Sequence, residues 1–352
     1  ESDVGPSEVV GTVSLLERIN EFEAIRTLEA MKRSDVYTDA LKGGAKAPVQ
    51  FGKDLVDEPV DTLKDTAKGF GGFLADVGYS IVSDDPSQEN AAKTALGFDA
   101  AKRQFAHQLG VNPYSRFEPL QEQLSEVSWT AVGGGLTVSA AFRAVTNTAG
   151  AVLSATKTAN GAKALVRDLS PRKLENRNIE ALQAMGISED LAETFSGNFN
   201  FDPEARTRVV TALESMKGVA GRADLVSRAT LVTTPQQANS MRDWVELLAA
   251  YHDLVTPAKR ITIITTAPFL VDKDNRVHAV FPTDYIHWRE GLEANIAATT
   301  DAAVAAGHTL GPVYATGRID DKSAALLSRL GWQGSQAHAE KILRTEQTGS
   351  QE

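Results

Sequence analysis

Apolar residues recur along most of the chain at intervals of three and four, the spacing that gathers side chains on one face of an α-helix. Leu15, Ile19, Phe22, Ile25 and Leu28 keep this interval after Ser14, which with Glu17 forms a capping box. They predict a helix running to about Lys32. Residues 88–110 and 117–129 carry the same period, separated by VNPYSRF with turn signals at Asn112-Pro113 and Ser115. A second start signal recurs at Asp85-Pro86, Ser170-Pro171, Asp202-Pro203 and Thr234-Pro235. Proline suits the first helical position because the N–H it lacks would have no partner there. Thr234 and Gln237 add another capping box ahead of Met241, Trp244, Val245, Leu248, Tyr251 and Val255, which predict a long, buried helix.

From residue 260 the pattern changes. RITIITTAPFLV (260–271) and VHAVFPTDYI (277–286) are rich in β-branched and aromatic residues, and they flank DKDNR, a polar turn. Two strands joined as a hairpin are expected. A helix from Trp288 to Ala306, closed by Gly307, comes next, then a strand at PVYATG (312–317) and a short helix ending at Gly331. The expected fold is mainly α, a multi-helix body with a small C-terminal α/β subdomain in the order β-β-α-β-α. Three regions are expected: an N-terminal helical region with Gly-rich apolar helices (1–165), a helical middle region (166–258) and the α/β subdomain (259–345). No fixed-period repeat is visible.

Composition narrows the partners. At 42% hydrophobic and 23% charged, the chain of 352 residues has the balance of a globular protein. A net charge of −10 argues against a broad phosphate-binding surface, so no nucleic-acid partner is expected. The absence of cysteine excludes disulfides, thiolate metal sites, iron–sulfur clusters and Cys nucleophiles. It also suits an exported protein, and a first residue of Glu rather than Met points to a removed leader or tag. The expected location is periplasmic or secreted in a bacterium. No uncharged apolar run is long enough to span a bilayer; the nearest, WTAVGGGLTVSAAF (129–142), ends at Arg143.

Two glycine clusters raise functional questions. KGFGGFLADVG (68–78) lacks the Lys-Ser or Lys-Thr pair of a phosphate loop, since Phe73 and Leu74 follow Gly72. Gly69 and Gly71 supply only the first half of a dinucleotide fingerprint. What remains is a glycine-softened helix carrying Phe70, Phe73 and Leu74, either buried or presented to a partner or a membrane surface. Gly133, Gly134 and Gly135 in succession predict a helix break or a very close helix contact.

The histidines, His107, His252, His278, His287, His308 and His338, form no H-x-x-x-H or H-E-x-x-H pair, so no metal is expected. Asp272, Asp274 and Asn275 resemble the start of a calcium loop, but Val277 stands where the sixth-position glycine is required. There is no G-x-S-x-G elbow, and no cofactor is expected. The candidates for catalysis are His287 with Asp284, where a strand meets a helix, and His252 beside Asp253. The expected function is non-catalytic: binding or assembly in an envelope-associated complex, with a protein partner or an apolar ligand. A hydrolase with its site where the α/β subdomain meets the helices is the alternative. A peripheral membrane protein inserting Phe70 and Phe73 is the other.

Overall fold

The structure, a computed structural model, describes residues 9–44, 86–144 and 157–336. It is mainly helical, with 13 helices among the described residues and a small sheet near the C-terminus. The chain divides into two compact units, Glu1–Ser7 with Leu16–Leu153, and Glu8–Leu15 with Ser154–Glu352.

Unit 1 holds most of α1 (Thr12–Lys32), with α2 (Asp35–Gly44), α3 (Pro86–Leu109), α4 (Glu118–Gly134) and α5 (Val138–Arg143). Its core joins Ile25, Leu28 and Met31 of α1 to Tyr37, Phe105, Leu120 and Leu124. The apolar line expected along α1 is therefore only half buried. Phe22, Ile25 and Leu28 pack inward, whereas Leu15 is 47% and Ile19 45% exposed. The triple glycine makes both the contact and the break it predicts. A Cβ on Gly134 would lie 2.3 Å from the carbonyl oxygen of Ala40, so α4 and α2 meet backbone to backbone. Gly135 then ends α4 at φ +69°.

Unit 2 contains α6 (Lys157–Asp168), α7 (Pro171–Ala184), α8 (Glu189–Ser196), α9 (Pro203–Ser215), α10 (Arg222–Thr230) and α11 (Pro235–Leu254). The Pro-led starts are correct: Asp202 accepts from the Ala205 N–H at 2.8 Å, and Thr234 accepts from Gln237 at 3.2 Å. Gln237 reaches back to the N–H of Thr233 rather than that of Thr234. Phe195, Phe201, Leu213, Val245 and Leu248 form one core with Ile261, Leu270 and Val280 of the sheet. Helices and sheet thus bury each other's apolar faces, and neither would be dry alone.

The sheet runs β1 (Ala258–Ile264), β2 (Ala267–Asp272), β3 (Arg276–Phe281), β5 (Thr309–Ala315), β7 (Ser335–Gln336) in space as named. The first three strands are antiparallel. β3, β5 and β7 are parallel, connected through α12 (Leu292–Ala305) and α13 (Asp321–Arg329). The run 260–271, expected as one strand, folds back on itself, with Ile264 opposite Ala267. The turn uses Thr265 at φ +55°, a conformation that its β-branched side chain gives no hint of. β2 is buried on both faces, Leu270 towards the helical core and Phe269 and Val271 towards a second core with Val313 and Trp332. The outer edge of β1 is covered by Ala220, which accepts from the Ile261 N–H at 2.8 Å and donates to Lys259 at 3.1 Å.

Candidate functional site

In sheets with parallel strands, ligands gather beyond the carboxyl ends, where successive loops diverge. Here two such loops, 282–291 after β3 and 316–320 after β5, are tied together. The short strand β4 (Tyr285–Ile286) pairs in parallel with β6 (Arg318–Ile319). Gly317 donates to Thr283 and Arg318 to Asp284, both at 2.8 Å, and Asp320 donates to Ile286 at 3.0 Å. A Cβ on Gly317 would come within 1.8 Å of the Asp284 carbonyl oxygen, so only glycine permits this approach. Asp320 caps α13 by accepting from the Ser323 N–H at 2.7 Å, and its other oxygen accepts from the Trp288 N–H at 2.6 Å. Those two donors, Ser323 first, hold its carboxyl below the usual carboxylate range.

This arrangement also starts α12 later than expected. Trp288 belongs to the loop, and the helix begins at Leu292 after Gly291 at φ +84°. The result is an exposed aromatic ledge. Tyr285 stacks on His287 with ring centroids 5.3 Å apart, and Lys322 Nζ lies 5.6 Å from the Trp288 ring. Tyr285 is 51% and Trp288 48% exposed.

Asp284 and His287 therefore share one loop, but among the described residues no hydrogen bond or ion pair links them. The Asp284 carboxylate instead accepts from the Thr12 N–H at 2.8 Å and so caps the first turn of α1. That distant acceptor replaces the local cap expected from Ser14, which lies inside the helix. His252 closes the turn between α11 and β1: its Nδ1 accepts from the Ala258 N–H at 2.8 Å, and its Nε2 is 3.9 Å from Asp253. Phe70, Phe73 and Leu74, with the whole of 68–78, lie outside the described residues, as does His338.

A constellation that the sequence reading did not assemble lies inside unit 2. Asp272 Oδ2 meets His278 Nε2 at 2.9 Å, and His278 Nδ1 meets the Tyr251 hydroxyl at 2.9 Å. Asp272 Oδ1 accepts from the N–H groups of Asp274 and Arg276, both at 2.9 Å, and so shapes the β2–β3 turn. Burial alone would raise the Asp272 carboxyl, but the bonds from His278, Arg276 and Asp274 outweigh it and leave the group below its ordinary range. Burial, reinforced by Tyr314, pushes the Tyr251 phenol up. Tyr251, His278 and Asp272 are 1%, 4% and 6% exposed, so the chain joins helix to sheet and is closed to a substrate. The available signal was a histidine six residues after an aspartate across a hairpin turn, inside an otherwise apolar strand. Tyr251 counted only as an apolar position of α11.

Among the described residues no group of three or more His, Asp or Glu could hold a metal ion. No helix among them is long and apolar enough to cross a membrane. Comparison with protein-family models, with curated proteins and with solved structures returns no match.

Proposed function

We propose that the protein is a non-catalytic binding or assembly component, and that unit 2 makes its contact through the loops following β3 and β5. The observation that carries this reading is the exposure of Tyr285 and Trp288 on a backbone fixed by cross-loop hydrogen bonds. Large aromatic side chains dominate interface energetics, and rings on a rigid backbone lose little freedom when covered. Arg289, Arg318 and Lys322 are exposed along the same loops and α13, and arginine is the other residue enriched at contact centres. An exported, envelope-associated setting belongs to the same proposal and draws on the cysteine-free, acidic composition.

The test is native mass spectrometry of the full chain isolated from its source, beside a Tyr285→Ser/Trp288→Ser double variant. The wild type is expected to carry a partner or ligand that the double variant loses. Lone, ligand-free monomers in both samples would sink the reading. The hydrolase alternative keeps one favourable observation, that Asp284 and His287 follow β3 at the carboxyl end of the parallel strands. Ester or amide turnover that disappears in a folded His287→Ala variant would put it in place of the binding reading.

A further inference from the structure

On the reading that the aromatic ledge of unit 2 is a contact surface, we infer that its occupant is a carboxylate-rich peptide segment of a partner protein. Arg318, Lys322 and Arg289 are the groups that read its charge. Strand register sets the composition of the face. β4 and β6 run in parallel, with Tyr285 opposite Arg318 and Ile286 opposite Ile319. Residues paired across adjacent strands project to the same side, and successive residues project to opposite sides. Ile286 and Ile319 are half-buried together, and Tyr285 and Arg318 are displayed together on the exposed side. His287, two residues beyond Tyr285, lies against the Tyr285 ring with an interplanar angle of 24°. Lys322 of α13 holds its ammonium 5.6 Å from the Trp288 ring. Each of the two exposed rings therefore has a cation beside it.

The carboxylates of the same elements are mostly committed elsewhere. Asp284 accepts from the Thr12 N–H, and Asp320 divides its two oxygens between the Ser323 and Trp288 N–H groups. Asp321 stands in the first turn of α13, where the helix dipole compensates a negative charge. Glu293 of α12 pairs with Arg329. Glu290 is the exposed carboxylate of the two loops that has no such engagement among the described residues. Arg289, Arg318 and Lys322 form no ion pair among the described residues. Three cations thus stand exposed around two rings, on a chain whose net charge is −10.

That combination selects the chemistry of the occupant. A guanidinium fork takes a carboxylate through two parallel hydrogen bonds, and an aromatic face covers the apolar body of a peptide. A single-stranded nucleic acid also offers anionic groups and stacking surfaces, but it would bring a phosphate at every nucleotide up to a strongly acidic protein. A peptide can confine its negative charge to the few positions that meet the three cations.

The test is fluorescence anisotropy of labelled probes added to the full chain. The probes are a Glu/Asp-rich peptide with a central Phe, its Gln/Asn isostere, its Lys counterpart, and a single-stranded oligothymidylate. The acidic peptide is expected to bind at least about tenfold more tightly than the other two peptides, and more weakly as salt is raised from about 50 to about 500 mM. Arg318→Glu/Lys322→Glu should abolish that preference and Arg318→Gln/Lys322→Gln should reduce it, with far-UV circular dichroism unchanged. Tyr285→Ser/Trp288→Ser should weaken the acidic peptide and its isostere alike. Equal affinity for those two peptides would overturn the inference. So would an acidic peptide that does not bind, an oligothymidylate that binds more tightly, or a preference that persists in the Gln variant. The two readings fail separately. A native partner lost in the Tyr285→Ser/Trp288→Ser variant, without any preference for the acidic peptide, keeps the contact surface and removes its charge reading. Lone, ligand-free monomers in native mass spectrometry remove the contact surface itself.

Discussion

Gly221 offers the sharpest test of how the sheet edge is held. It sits at φ +80°, and a Cβ there would lie 2.1 Å from the Ile261 carbonyl oxygen. Alanine would meet two separate costs. The left-handed conformation disfavours any Cβ by about 1–2 kcal/mol. The steric contact would also push Ala220 off the β1 edge, weakening bonds of 3.1 and 2.8 Å to Lys259 and Ile261, each contributing about 0.5–1.5 kcal/mol. Together the loss is roughly 2–5 kcal/mol, set against up to about 1 kcal/mol regained because alanine narrows the unfolded ensemble. Gly186 is the internal control: φ is +83°, and nothing lies within 4 Å of a Cβ placed there. Gly186→Ala shares the conformational cost and the unfolded-state gain but not the clash. Urea unfolding followed by tryptophan fluorescence should place Gly221→Ala about 1–3 kcal/mol below Gly186→Ala. Equal stability of the two would show that Ala220 does not hold the edge of β1.

Removing the α9 cap with Asp202→Ala should cost about 1 kcal/mol and lower the melting temperature by about 2–4 °C; an unchanged transition would refute the cap's role. Asp272 has a folded-state carboxyl below its ordinary value, so the stability it contributes is complete above the unfolded value of about 3.9 and is lost as pH falls through the folded one. Asp272→Asn should accordingly show a smaller drop in urea midpoint between pH 5 and pH 3, and a drop equal to wild type would contradict this. Burial pushes the Lys102 amine down to about 8. At pH 8 about half of it should be unprotonated, against roughly 0.4% for a lysine at the ordinary value. Limiting acylation with peptide mapping should find Lys102 modified several-fold faster than the exposed Lys217, and equal rates would argue against the burial.

The helical body was readable because its signals are local. The Asp202 and Thr234 caps and the apolar interval through Tyr251 each lie within one or two turns, and the chain follows them. The mainly α architecture with its small α/β unit follows from the same signals and from the β-branched runs after residue 260. What escaped depends on contacts far apart in sequence or on backbone conformations that side chains do not announce. Thr265 adopts a left-handed turn without glycine or proline, so two strands look like one. Trp288 carries no helix-breaking character, yet Asp320, 32 residues away, holds its N–H in a loop. Asp284 and His287 could be picked as neighbours in sequence, but not the engagement of Asp284 with Thr12, 272 positions earlier. The Asp272–His278–Tyr251 chain needs the β2–β3 turn and the packing of α11 before its members meet, and no periodicity encodes that.

The mixed direction of the strands has a consequence for the order in which the molecule is built. β1, β2 and β3 are joined by turns of two and three residues, at 265–266 and 273–275, so their pairing closes short loops at microsecond rates. β5 can add to β3 only after residues 282–308 have formed and docked their crossover, which carries a larger closure entropy. The three-stranded meander is therefore expected to pair first and the parallel half to add to it. Substitutions in the 265–266 turn should change chiefly the folding rate, while those in α13 should change chiefly the unfolding rate.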